Sequence, residues 1–136
     1  MRREIRPTAR AVIALGDHLL LGRGEDEMFY HLPGGGIDRG EAPEQSLRRE
    51  LGEELGRRIT TLDFVMLYRN IYTKGEREIH ERLHLFEATL LPVLVENPPM
   101  AREAWMRFEW VPVAELTLRD VRPAPLVALL VSMVAY

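Results

Sequence analysis

With 136 residues, 46% of them hydrophobic and 29% charged, the chain has the length for one domain around one core and the balance of an ordinary globular protein. A formal net charge of -3 supplies no global field for nucleic acid or anionic lipid, although Arg2, Arg3 and Arg6 make the N-terminus locally basic. The absence of cysteine excludes disulfides, thiolate zinc sites and cysteine nucleophiles, and fits a reducing, cytoplasmic setting.

In chain order, the basic N-terminal arm reads as a solvated end, with no apolar core of signal-peptide type behind it. Ala9 to Leu15 is apolar and β-leaning, Gly16-Asp17 is a turn signal, and His18 to Leu21 is apolar again, which predicts an opening hairpin. Gly22 to Glu27 reads as a polar loop. FYHLPGGGIDRGE, Phe29 to Glu41, comes next; its proline and consecutive glycines exclude a regular element and demand unusual backbone angles, so it is read as a shaped loop.

A helix is predicted from Pro43, a residue suited to the first helical position, to a stop at Gly56. Leu47, Leu51 and Leu55 recur every four residues as a buried stripe, and Glu50, Glu53 and Glu54 occupy the arc beside it. Like charges three and four residues apart repel by roughly 0.2 to 0.5 kcal/mol per pair, so a purely structural helix would interleave lysines among them. Taken alone, the trio reads as a solvated charged face partly offset by Arg49, Arg57 and Arg58.

Leu62 to Tyr72 and Leu83 to Leu91 read as strands separated by the charged connection Lys74 to Glu81, and Pro92 to Met100 as a loop. Arg107 to Val113 reads as a final strand, Val113 to Leu116 as a short helical turn, and Ala124 to Ala135 as a closing apolar helix. The run Pro125 to Tyr136 is well short of the ~20 residues that span a bilayer, so no membrane association is expected. With little polar face, the last helix is either buried in the domain or covers a second subunit, which leaves a homodimer open. Strands around helices, without repeats, indicate an α/β class with a mixed sheet.

From Gly35 the spacing runs glycine, five residues, Glu41, seven residues, Arg49-Glu50-Leu51, one residue, Glu53-Glu54, one residue, Gly56. This pattern resembles the signature of the Nudix hydrolase family, matching eight of its nine defined positions; Arg57 stands where the family carries an aliphatic residue, which leaves the chemical positions intact. The preceding hairpin, the LPGG of Leu32 to Gly35 and the EWVPVAEL of Glu109 to Leu116 look like the family's frame, so the resemblance implies one Nudix domain over residues 1–136, an α/β/α sandwich with a mixed β-sheet.

Clustered carboxylates on a rigid helix are hard oxygen ligands of the kind Mg²⁺ takes, with retained waters and substrate phosphates completing its shell. The resemblance implies a Mg²⁺ (or Mn²⁺) enzyme that cleaves a diphosphate linkage in a small-molecule nucleotide, with no nucleic acid duplex as partner. It assigns metal binding to Glu50, Glu53, Glu54 and the Gly34 carbonyl, catalysis to Glu53 and Glu54, and support to Gly35, Glu41 and Arg49. The family's general base varies in position; Glu103 is the preferred candidate, with Glu96 and Glu109 also available. Arg23 is a candidate phosphate contact, and Tyr30, Tyr72 or Trp105 a surface for a base to stack on.

HERLH, His80 to His84, matches the H-E-x-x-H pattern of zinc metalloproteases. That chemistry needs a helix, whereas the surrounding residues are strand-like, and on a strand His80 and His84 would stand about 13 Å apart, too far to share one ion. A nucleotide-sensing module without hydrolysis is the other alternative; the complete glutamate set weighs against it.

Overall fold

The structure is a computed structural model that describes residues 1–91 and 105–134. The N-terminal arm is not a solvated end. β1 (Arg2–Val12) begins at the second residue and pairs in parallel with β6 (Arg77–Leu90), from Arg2 opposite Arg77 to Val12 opposite Glu87. Backbone pairing and side-chain contacts hold the arm: Arg77 reaches Glu4 at 3.2 Å, and the Thr8 hydroxyl donates to Glu81 at 2.7 Å.

The predicted opening hairpin forms in altered shape. The strand breaks at Ile13, and the two-residue β2 (Ala14–Leu15) turns through Gly16 into β3 (His18–Gly24), so Ala9 to Leu15 is divided between two sheets. Gly22 to Gly24 continue β3, because pairing with β7 (Met106–Pro112) satisfies their backbone; the polar loop begins only at Glu25. Likewise most of the charged connection Lys74 to Glu81 is strand: β5 (Ile59–Lys74) returns through a tight turn at Gly75, φ 62°, directly into β6. Cross-strand pairing overrides local charge there.

One sheet runs β4 (Gly34–Gly36), β1, β6, β5, with only β1 and β6 parallel; the other runs β2, β3, β7. Strand alternation sends side chains to two cores. Ala9, Ala11, Leu20, Phe86 and Trp110 meet the leucine stripe of α1 (Pro43–Leu55), whereas Leu19, Leu21, Leu83, Leu85 and Val111 meet Leu126, Leu130 and Val134 at the closing helix, α2 (Val127–Val134). The result is an α/β/α arrangement with a mixed sheet. Helix α2 buries one face in the second core and leaves Ala128 and Ser132 exposed. Among the described residues, no helix is long and apolar enough to cross a membrane.

Helix α1 matches its predicted bounds. Gln45 Oε1 accepts the Ala42 N–H at 3.3 Å at the start, and Gly56 ends the helix in the left-handed region, φ 60°. Arg57 is exposed past that stop, and Ile59 supplies the next aliphatic contact with the α1 core.

Candidate active site

Phe29 to Glu41 is not wholly irregular as predicted, since Gly34 to Gly36 pair with β1 as β4; the glycine loop around them is shaped by close backbone approach. A Cβ on Gly34, whose φ is 133°, would stand 2.1 Å from the Ala9 carbonyl oxygen, so no other residue fits where this strand crosses β1. A Cβ on Gly35 would stand 2.8 Å from the Glu50 carboxyl carbon. The missing side chain is what lets the loop lie directly on that glutamate.

The helix answers from below. Glu54 is buried and accepts the Gly34 N–H at 2.9 Å, tying the end of α1 to the loop. Glu50, one turn earlier, is partly buried; desolvation pushes its carboxyl up, and neighbouring Glu53 adds to that, while Arg49 and the more distant Arg10 pull it down. Glu53 lies at the exposed rim. The three carboxylates therefore share one helix edge but sit in three environments.

Arg49 gathers the others. Its guanidinium grips Glu41 with two nitrogens, at 2.9 and 3.0 Å, and reaches Glu50 at 3.1 Å, Glu53 at 3.4 Å and Asp38 at 3.3 Å. Glu41 also accepts the Asp38 N–H at 3.0 Å, and these bonds, the Arg49 one foremost, hold its carboxyl below the usual range. With Glu50 and Glu53 drawn to Arg49 and Glu54 turned to the loop, no three carboxylate or imidazole groups among the described residues converge at metal-ligand spacing. The donor chemistry nonetheless suits a hard divalent cation: carboxylates crowded on a rigid helix, one of them raised by burial and like charge, beside a loop with no side chain in the way.

Arg23 and Tyr30 come together as a pair, the Arg23 guanidinium 5.5 Å from the ring centroid. Two residues that sequence reasoning did not single out complete this region. Arg119 stands 5.2 Å from the same centroid, donates to the Tyr30 hydroxyl at 3.0 Å, and pairs with Glu115 at 2.8 Å and with Glu109. Arg10, on β1, donates to the Leu32 and Gly34 carbonyls, each at 3.0 Å. A lone arginine inside the apolar run Ala9 to Ala14 was the available signal for Arg10; Arg119 had none for its contact with Tyr30, which lies 89 positions away. His31 is also new: burial pushes its imidazole down, and Arg10 adds to that against the opposing pull of the Leu32 carbonyl and Glu27.

The remaining candidates separate. Glu103 and Glu96 lie outside the described residues. Glu109 is bound to Arg119 on β7. Trp105 is exposed and its carbonyl accepts the Glu25 N–H, which places it at the end of the strand pair carrying Arg23, whereas Tyr72 sits toward the turn end of β5. HERLH lies on β6, where His80 contacts Glu78 at 2.7 Å and His84 contacts the Thr8 carbonyl at 3.1 Å, so the helix that the protease motif requires is absent.

Comparison with known proteins agrees with this frame. A family profile described as NUDIX domain matches residues 5–130. Among solved structures, a NUDIX hydrolase from Nitrosomonas europaea is 20% identical with a TM-score of 0.72, the alignment covering 95% of this chain and 87% of that one. A MutT structure from work on Aliivibrio salmonicida and Vibrio cholerae is 20% identical with a TM-score of 0.65, covering 96% and 99%. A UDP-X diphosphatase structure is 18% identical with a TM-score of 0.70, covering 97% of this chain and 63% of that one. A search of curated proteins found no match. The profile over nearly the whole chain, on a fold shared with these structures, shows that the chain belongs to the Nudix hydrolase family.

Proposed function

We propose that this protein is a one-domain, cytoplasmic pyrophosphohydrolase that uses Mg²⁺ or Mn²⁺ to cleave a diphosphate linkage in a small nucleotide, either a nucleoside diphosphate joined to another group or a nucleoside triphosphate. The observation that carries this reading is the glycine loop laid against a helix edge bearing three carboxylates and tied to it through Glu54 and Gly34. The names of similar structures, MutT and UDP-X diphosphatase, support the reaction class but not one substrate.

Glu50, Glu53 and Glu54, with the Gly34 carbonyl, would hold the cation. Such an ion, when bound, polarises phosphoryl oxygens, neutralises the leaving group and lowers the pKa of an attacking water. The chain's own residues do the rest. Glu41 and Arg49 brace the loop and orient Glu50 and Glu53 through the bonds between them, as outer partners of a metal site do. Arg23 would contribute positive charge for a phosphate, and Tyr30, held by Arg119, would offer an aromatic face to the rest of the substrate. Glu103 is proposed as the base that takes a proton from water.

The test is product identification over a nucleotide panel with Mg²⁺ and with Mn²⁺, run beside Glu53→Gln. The expected outcome is cleavage of one substrate class by the wild type and a loss of about a hundredfold or more in kcat for the variant. Nucleotide binding without turnover in the wild type would instead identify a sensing module.

A further inference from the structure

We propose that Arg10 is a positioning residue of this site: reaching from β1, its guanidinium holds the Leu32 and Gly34 carbonyls and so sets how the glycine loop presents the Gly34 oxygen. The inference rests on the metal-dependent reading above.

A half-buried arginine between buried neighbours is costly unless its donors are used. Arg10 is flanked by buried Ala9, Ala11 and Val12, and its Nη1 donates to both carbonyls at 3.0 Å. The Gly34 residue is thereby gripped at both ends, its N–H by Glu54 from α1 and its carbonyl by Arg10 from β1. The Pro33 carbonyl between them accepts the Ala11 N–H at 3.0 Å, so successive carbonyls from Leu32 to Gly34 all bond to this part of β1. Loop direction is thus set by a side chain that belongs neither to the loop nor to the helix.

The test is Mn²⁺ binding by titration calorimetry, together with amide hydrogen exchange of Leu32 to Gly36 in metal-free protein, on the full chain and three variants. Arg10→Met keeps length without donors and is expected to weaken Mn²⁺ binding by about tenfold or more, the usual effect of losing an outer partner, and to speed exchange in the loop. Arg10→Lys is expected to fall between the two, and it carries the test if the methionine variant fails to fold. Leu130→Ala, in the core on the α2 side, is the control: it should lower stability and leave Mn²⁺ binding unchanged. Wild-type Mn²⁺ affinity and loop exchange in the Arg10 variants would overturn the proposal, as would equal weakening by Leu130→Ala. If the wild type binds no Mn²⁺, the metal reading fails by itself, and loop exchange alone decides whether Arg10 holds the loop.

Discussion

Arg49 and His31 show how much a residue's meaning depends on where the chain folds. Within its helix Arg49 is one charge among several; in the folded protein it links Glu41, eight residues earlier, to Glu50 and Glu53. The family signature names all four residues, because they are close in sequence and the helix makes the spacing of Arg49, Glu50 and Glu53 legible. His31 could not be read in this way, since beside its near neighbours Glu27 and Leu32 it is set by burial and by Arg10 from β1. Its imidazole, with an ordinary value of 6.5, is pushed down by burial, so the unfolded chain binds a proton more readily than the folded one. The stability this represents is complete above about pH 6.5 and is lost as pH falls through the lowered folded value. Thermal unfolding followed from pH 8 to pH 5 should show Tm falling over the acid part of that range in the wild type, with a shallower fall in His31→Gln; identical slopes would remove His31 as the cause.

At the scale of elements, α1 is the most legible segment. Pro43 begins it, Gly56 ends it, and the leucine stripe orients it, each by a local rule that tertiary context did not override. That orientation is what puts Glu54 under the loop and Glu53 at the rim. Leu51 is fully buried, so Leu51→Ala should cost about 2 to 5 kcal/mol, whereas Arg48→Ala on the exposed face should stay within about 0.5 kcal/mol; urea unfolding measures both. A small cost at Leu51 would mean that the stripe does not anchor the helix. The strands were less legible at their ends. Gly22 to Gly24 and Arg77 to Glu81 are polar or glycine-rich, yet each is in a strand because a partner takes up its backbone groups.

For the whole molecule, the N-terminal arm carries the clearest consequence. As a solvated tail it would be dispensable; as the start of β1 it pairs with β6 from the second residue onward. Deleting residues 1–6 should therefore destabilise the protein by about 1 kcal/mol or more, a fall of several degrees in Tm by calorimetry, and an unchanged Tm would restore the view of a free end. The same pairing shows where sequence reading stops. Fold class, the bounds of α1, the strand that follows His84 and the resemblance to Nudix hydrolases were determined by the sequence itself, because helical periodicity, glycine and proline punctuation and the signature spacing are local properties. Tertiary structure alone decided that β1 is central to its sheet, that Ile13 divides the first hairpin between two sheets, and that Arg10 and Arg119 stand against the loop and Tyr30. These depend on contacts between residues far apart in the chain, from 22 positions for Arg10 and Leu32 to 94 for His18 and Pro112, which come from burial and from hydrogen bonding across strands and leave no periodic trace in the chain.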